Sequence, residues 1–195
     1  CVTVREAIEG IKNSNCNDIY NLNVNIIKTI KNIIISPLTK LINLCLQTYK
    51  FPDCLKIASI TPIYKKGDVN NPSNFRPIAI LPVFSKILEK ILHRQLNDYF
   101  ESHHLFNESQ FGFRKHRSTI MAVQKLLDFI TDCLENRNAA VATFVDLSKA
   151  FDCMSHKILL EKLKHYNVHP TSCKLIKSYL ENRRQLVKFK GQKSS

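Results

Sequence analysis

Residues 139–147 restrict the fold most, because they are apolar almost throughout and show no alternation of polar and apolar side chains. A strand that is apolar on both faces belongs in the middle of a sheet covered by helices. We therefore predict a central strand at 139–147. Its one charged residue, Asp146, is next to last in the segment. A carboxylate at the end of a buried strand needs an array of N–H donors, a cation or a metal ion, unless it only caps the following turn.

Apolar residues recur at helical spacing in several other stretches, most clearly at 83–101. Ser36 followed by Pro37 predicts an N-cap and the first residue of a helix. Ser118 is in a similar position before a long amphipathic stretch. Further helices are predicted at 3–12, from 26 onward, at 118–137, at 156–166 and at 170–181.

Five of the seven prolines lie between residues 52 and 82, around two runs rich in β-forming residues, 55–64 and 76–81. Proline cannot donate a hydrogen bond to a ladder, so we predict strands that are short, bent or at a sheet edge. The basic stretch between them, 65–72, is predicted as an exposed hairpin tip. A further strand is predicted at 184–190. Strands mixed with helices without a regular βαβ repeat indicate an α+β, helix-rich fold.

The net charge of the 195-residue chain is +13, and its basic residues are unevenly distributed. Residues 153–195 contain ten of the 29 Lys and Arg residues but only two of the 16 acidic ones. Such a surplus suits nucleic acid, because each cation set against a phosphate releases bound counterions. Two other interpretations stay open: a solvated, lysine-rich surface, and a basic surface that binds an anionic membrane. No apolar run is long enough to predict a membrane span.

Several kinds of catalytic site are excluded by the motifs that the chain lacks. It contains no G-x-S-x-G, G-x-x-x-x-G-K-[ST] or G-x-G-x-x-G pattern. Its seven cysteines are odd in number and form no C-x-x-C pair, so we expect reduced thiols and no zinc site. A two-metal phosphoryl-transfer site would need more carboxylates than Asp146. No second acidic residue is predicted on an adjacent buried strand.

Six motifs in a fixed order give the chain a family resemblance. It resembles the reverse transcriptase domain of non-LTR retrotransposons, most closely the jockey type, and the likeness is strongest over residues 50–190. The motifs are Thr61-Pro62-Ile63-Tyr64-Lys65-Lys66-Gly67-Asp68, Asn74-Phe75-Arg76-Pro77-Ile78, Ser85-Lys86-Ile87-Leu88-Glu89-Lys90, Gln110-Phe111-Gly112-Phe113-Arg114, Ser118-Thr119 and the segment from Phe144 to Asp152, and Leu180-Glu181-Asn182-Arg183 also fits.

The resemblance implies a right-hand polymerase fold, with an N-terminal helical extension at 1–54, fingers at 55–138 and the start of a palm at 139–195. Within the fingers, it implies that Lys65 or Lys66, together with Arg76, holds the triphosphate of an incoming nucleotide. A flexible ammonium and a planar guanidinium both suit phosphate oxygens.

The same resemblance assigns the remaining site residues. Asp146 corresponds to the first catalytic aspartate, a ligand of two Mg²⁺ ions, with the Leu147 carbonyl nearby. Phe151 corresponds to the residue under the nucleotide sugar that disfavours a 2′-hydroxyl. Gln110 and Arg114 belong to a motif near the template strand.

The chain departs from the family in two places. The family continues with a Pro-Gln-Gly segment and an aromatic-x-Asp-Asp hairpin, and neither occurs in these 195 residues. A Gly-x-Asp segment common in related elements is replaced by Asn15-Cys16-Asn17-Asp18-Ile19-Tyr20. We therefore expect fingers and a partial palm, truncated before the catalytic hairpin and inactive alone.

The partners implied by the resemblance are an RNA template, a DNA primer and dNTPs, with no membrane. In the parent polyprotein they include the rest of the palm, the thumb and an endonuclease domain. The expected location is inside the cell, in the cytoplasm and nucleus. The alternative function is a non-catalytic RNA- or DNA-binding remnant of a retroelement.

Overall fold

The computed structural model describes residues 4–147, 150–189 and 192–194, and within them the fold is α+β. As predicted, helices predominate. The helices are α1 Val4–Glu9, α2 Val24–Thr29, α3 Lys31–Thr48, α4 Val83–Ser102, α5 Thr119–Glu135, α6 His156–His165 and α7 Pro170–Leu180. The strands are β1 Ile57–Tyr64, β2 Phe75–Ile80, β3 Arg184–Phe189 and the two-residue β4 Gln192–Lys193. No helix in the described ranges is both long and apolar enough to span a bilayer.

The four strands form one sheet in the order β2-β1-β3-β4. Strand β1 pairs with β2 in antiparallel orientation and with β3 in parallel orientation. Strand β2 lies at the edge, as its proline predicts, whereas β1 is internal. Its Pro62 is tolerated there because β3 pairs with β1 only as far as Ile60. The predicted final residue of β3, Lys190, lies outside the described residues.

The chain divides into two compact units, residues 1–97 with 155–195 and residues 98–154. The first unit has a hydrophobic core built from five helices and the segment before β1. Apolar residues of α4 are among its most buried side chains, because their three- and four-residue spacing places them on one face. The principal members of this core are Ala7, Ile8, Val24, Ile27, Phe51, Val83, Ile87, Leu88, Ile91 and Leu175.

A buried carboxylate joins the turn before α2 to the start of α4. Asp18 is only 1% exposed. Its Oδ1 accepts hydrogen bonds from the amides of Tyr20 and Leu22 at 2.8 and 3.0 Å. Its Oδ2 accepts one at 2.9 Å from the amide of Val83, the first residue of α4. Amides at a helix N-terminus lack intrahelical partners, so this carboxylate satisfies one of them and fixes where the helix begins.

The predicted break at Ser36 was wrong, since α3 runs through Ser36 and Pro37. The boundary between the two helices lies at Ile30 instead, where α2 ends and α3 begins. An internal proline removes one backbone hydrogen bond. Leu38 and Ile42, which follow it, are buried and keep this part of the helix against the core.

The second unit contains the end of α4, a loop, α5 and an irregular segment. Ser118 caps α5 as predicted, because its Oγ accepts a hydrogen bond from the amide of Met121 at 3.3 Å. Helix α5 nevertheless has no buried residue. The N-cap at its start is present, but its apolar side chains remain largely accessible to solvent. Examples are Ile120, Val123, Phe129 and Leu134.

The predicted central strand at 139–147 was wrong, because this segment is irregular and exposed. Val141 is 87% exposed and Phe144 is 84% exposed. A strand needs hydrogen-bonding neighbours and a cover for its apolar faces. In the described part of the chain, no strand pairs with this segment. The alternative that Asp146 caps the turn at 148–149 concerns residues outside the described ranges.

Candidate functional site

The tip of the β1–β2 hairpin is exposed, as predicted, and is closed by a specific set of hydrogen bonds. The amide of Lys65 donates to the carbonyl of Asn74 at 2.9 Å. Asn74 Nδ2 donates to the carbonyl of Asp68 at 2.9 Å, and the Tyr64 hydroxyl donates to the carbonyl of Gly67 at 2.5 Å. Gly67 has φ +97°, and a Cβ there would lie 2.6 Å from Asn74 Nδ2. The turn therefore requires glycine at this position.

Lys65 and Arg76 lie on the same face of this hairpin. Arg76 stands opposite Ile63 in the antiparallel register, and side chains opposite one another share a face. The hydrogen bond from Lys65 continues the ladder, so Lys65, two residues after Ile63, is on that face as well. Both cations are exposed, as is Lys66 in the turn. The hairpin thus presents an ammonium and a guanidinium in diagonal positions.

Arg114 is held by contacts within the second unit. Its Nε and Nη2 donate to the two carboxylate oxygens of Glu101 at 3.1 and 2.8 Å. Its Nη1 donates to the carbonyl of Asn107 at 3.0 Å, and its guanidinium lies 5.1 Å from the centroid of the Phe106 ring. The hydrogen bond from Arg114 lowers the pKa of Glu101, and the carboxylate in turn raises the pKa of Arg114. Arg114 therefore ties the loop to the end of α4.

Gln110, Gly112 and Phe113 of the 110–114 motif are exposed, whereas Phe111 is half-buried. Gln110 Nε2 donates to the carbonyl of Gly112 at 3.3 Å. Phe113 has φ +62° and is 88% exposed. Its ring is 6.3 Å from that of Phe151 in an edge-to-face arrangement, so two sequence motifs that are far apart meet within this unit. Phe151 is itself 77% exposed.

Asp146 and Leu147 are both exposed in the irregular segment that ends the described range 4–147. The site residues are therefore divided between the two units. Lys65 and Arg76 come together in the first unit, and Phe151 meets the 110–114 motif in the second.

Comparison with known sequences gives these positions a family context. Residues 63–195 match the family described as reverse transcriptase (RNA-dependent DNA polymerase). The chain belongs to the reverse transcriptase family.

Three relatives illustrate this membership. The chain is 33% identical over 153 residues to the probable RNA-directed DNA polymerase from transposon BS of Drosophila melanogaster, a match over 78% of this chain and 17% of that protein. It is 33% identical over 159 residues to the RNA-directed DNA polymerase from mobile element jockey of the same species, covering 81% and 17% of the two chains. A Pol polyprotein from the type-1 retrotransposable element R2 of Popillia japonica is 32% identical over 108 residues, 55% of this chain and 15% of that protein. The chain thus spans about a sixth of the length of the first two relatives.

Membership of the reverse transcriptase family implies the use of a divalent metal. In the described residues, no group of three or more His, Cys, Asp or Glu side chains could hold a metal ion. A pair of divalent ions needs several oxygen ligands in one place. The described residues supply Asp146 but do not by themselves fit a two-metal site.

Two further reverse transcriptase motifs contact each other in the first unit, which sequence analysis did not predict. Arg183, from the 180–183 motif, lies 3.9 Å from Glu89 of the 85–90 motif. Arg183 Nη1 also donates to the carbonyl of Tyr179 at 3.3 Å, and its guanidinium lies 4.7 Å from that ring's centroid. Burial raises the pKa of Tyr179, and Glu89 raises it further. These contacts link α4 to the residue immediately before β3.

Two structural contacts, made by Glu101 and Asp18, were also missed. Glu101 lies 13 residues before Arg114 and has no motif of its own. Asp18 lies in a stretch without periodicity. A signal for Asp18 was present, because Asp in a turn accepts a hydrogen bond from the amide two residues on, here that of Tyr20, and Asn tolerates a positive φ. Asn21 indeed adopts φ +58°.

Proposed function

We propose that this chain is part of an RNA-directed DNA polymerase that extends a DNA 3′-hydroxyl on an RNA template. Residues 1–54 form the extension of the fingers, 55–138 the fingers and 139–195 the start of the palm. These functional regions cross the boundary between the two compact units. In the parent protein, the remaining palm, a thumb and an endonuclease act with this chain, in the cytoplasm and nucleus.

The hairpin is the proposed binding site for the incoming dNTP. The observation that carries this proposal is the placement of Lys65 and Arg76 on one exposed face beside a tip that also bears Lys66. Guanidinium binds phosphate oxygens through paired donors, and ammonium supplies a point charge. The glycine turn keeps side chains away from the hydrogen-bonded tip, and β1 fixes the hairpin to the sheet.

The second unit supplies the proposed contacts to the metal ion, to the sugar of the incoming nucleotide and to the template. Asp146 is proposed as a ligand of Mg²⁺, with the Leu147 carbonyl beside it, and Phe151 as the residue that selects against a 2′-hydroxyl. When bound, Mg²⁺ would stabilise charge on the transferred phosphoryl group. Gln110 is proposed to contact the template, and Arg114 to support that contact by holding the loop through Glu101.

The 195-residue polypeptide is proposed to lack polymerase activity on its own. The family's aromatic-x-Asp-Asp carboxylates do not occur in its sequence, and Asp146 has no cluster of further ligands among the described residues. Without these carboxylates, metal ions that would stabilise the developing charge lack most of their ligands. Such stabilisation is a large part of catalysis, since the loss of one oxyanion-hole hydrogen-bond donor alone costs about two to three orders of magnitude in rate.

Nucleotide binding tests the hairpin directly. Titration of the polypeptide with a fluorescent dTTP analogue should show affinity at least about tenfold weaker in K65A/R76A, because each cation contributes a charge-assisted hydrogen bond. The matched control is K40A/K50A, which removes two exposed lysines elsewhere in the first unit. Equal affinities in the hairpin variant and the control would refute the proposed dNTP site.

Primer extension tests the second part of the proposal. On a homopolymer template the polypeptide should give no product above background, with or without added Mg²⁺. Synthesis that disappears in D146N would show that the polypeptide is active alone. Binding of RNA without any dNTP affinity would instead favour the non-catalytic remnant, since that function needs only phosphate contacts.

A further inference from the structure

A groove of about 680 Å³ lies between α6 and α7, within the first unit. Lysines from both helices border it, Lys157 and Lys164 from α6 and Lys174 and Lys177 from α7. All four are exposed. Two facing rows of cations form a surface that attracts a chain of anions, since their fields add in the space between them.

The groove also contains acidic residues, which weaken but do not cancel this charge. Glu161 and Glu181 line it, and Glu181 lies 3.7 Å from Lys177. The four lysines outnumber these two glutamates, so the groove lining has a net positive charge.

The floor of the groove is apolar. Leu160, Cys173 and Leu180 line it, with Cys173 buried and both leucines half-buried. A duplex presents mainly phosphates on its outer surface, whereas a single strand also exposes bases and sugars. Lysine borders around an apolar floor therefore match a single strand better than a duplex.

We propose that the α6–α7 groove binds a segment of single-stranded RNA, with phosphates against the lysines and bases or riboses over the apolar floor. The choice of RNA over DNA rests on the proposed function, while the choice of a single-stranded polyanion rests on the groove itself. This binding surface is separate from the β1–β2 hairpin and does not use Asp146.

Charge reversal on both borders provides the test. Fluorescence anisotropy with a labelled single-stranded RNA of about 20 nucleotides should show K164E/K174E binding at least about tenfold more weakly than the unaltered chain. The slope of log K against log salt should become shallower by about 1.4, because each phosphate contact on a single strand contributes about 0.7. Circular dichroism should show the same helix content in both proteins.

The matched control is K12E/K40E, which changes net charge equally at two exposed lysines outside the groove and should weaken binding less than about threefold. K162E, on α6 but outside the groove lining, should resemble this control. Equal weakening in K164E/K174E and K12E/K40E would overturn the proposed groove, since overall charge would then explain the binding.

Further measurements distinguish between the possible nucleic-acid ligands, and between this proposed site and the proposed dNTP site. If duplex DNA binds more tightly than single-stranded RNA and is equally sensitive to K164E/K174E, the single-strand proposal is wrong. Tighter binding of single-stranded DNA than of RNA would likewise refute the choice of RNA. Affinity for the dTTP analogue should be unchanged in K164E/K174E, because it depends on Lys65 and Arg76, so failure of one site can be distinguished from failure of the other.

Discussion

The two compact units differ in how much of their apolar surface they bury. In the first unit, the central residues of α4 are almost completely inaccessible, as at Leu88, which is 2% exposed. In the second unit, the amphipathic helix α5 has no buried residue, and Leu127 on it is 50% exposed. Helical periodicity therefore determines a helix and its apolar face, but it does not determine whether another element covers that face.

The two units also differ in the interactions that hold their segments in place. The first unit uses a packed core, a sheet and a buried carboxylate. The second relies on local devices, namely the Ser118 cap and the Arg114–Glu101 ion pair. We therefore expect substitutions to have large effects in the first unit and small, local effects in the second.

The largest expected difference is between L88A and L127A. L88A should reduce the free energy of unfolding by about 2–5 kcal/mol, because it leaves a cavity in the core. L127A should change it by less than about 0.5 kcal/mol, because its side chain is half exposed. Urea denaturation followed by circular dichroism measures both. Similar destabilisation by the two variants would show that α5 is packed in solution, and the contrast between the units would be lost.

The next effect concerns Asp18. D18A should cost about 2–4 kcal/mol, because three backbone amides lose their acceptor and the start of α4 loses its partner. D18N should fall between D18A and the unaltered chain, since its amide keeps one oxygen acceptor. The midpoint of urea denaturation gives the order. A D18A protein as stable as the unaltered chain would mean that this carboxylate does not fix the start of α4.

A smaller effect is expected at the cap of α5. S118A should cost about 1 kcal/mol of helix stability, visible as reduced helicity or a lower melting temperature. S36A is the matched control, because Ser36 lies inside α3 and alanine has the higher helix propensity. It should be neutral or slightly stabilising. Destabilisation by S36A equal to that by S118A would favour the N-cap originally predicted at Ser36.

The smallest effect is a pH dependence in the second unit. The pKa of Glu101 lies below its ordinary 4.5 because Arg114 donates hydrogen bonds to it. A depressed folded-state pKa stabilises the fold above the ordinary value, and this contribution is lost as pH falls through the folded-state pKa. Amide hydrogen exchange in the loop 103–117 should therefore accelerate, beyond the intrinsic effect of pH, as the pH falls below the ordinary carboxyl pKa of 4.5.

E101Q should remove this dependence and leave the loop more open at neutral pH, whereas E135Q, an exposed site on α5, should retain it. The same pH response in the unaltered chain and in E101Q would assign the effect to another group.

Local patterns predicted most of the secondary structure. Helices α4 to α7, the hairpin and β3 follow from periodicity, capping residues and turn residues that lie within a few positions of one another. Two predictions failed because the deciding contacts are distant. Pro37 stays inside a helix because Leu38 and Ile42 pack on the core. The segment 139–147 has the composition of a central strand but lacks paired neighbours in the described residues.

The candidate site was predictable to a similar extent. Lys65 and Arg76 could be named from motifs, and the register of the hairpin places them on one face. The role of Glu101 could not be inferred, because its contact with Arg114 depends on how the intervening loop folds. The link from Asp18 to Val83 spans 65 residues and joins a turn to a helix start, which no short pattern reveals.

The parallel pairing of β1 with β3 has a consequence for how the protein is made. Ile57 pairs with Arg184, a separation of 127 residues, and the whole second unit lies between them. At ribosomal rates of about 5–20 residues per second, roughly 6–25 seconds pass between the synthesis of these two strands. During that interval, β1 has no hydrogen-bonding partner on the side where β3 later pairs with it. Nascent chains therefore carry an open sheet edge until β3 emerges, and factors that shield such edges would act in this window.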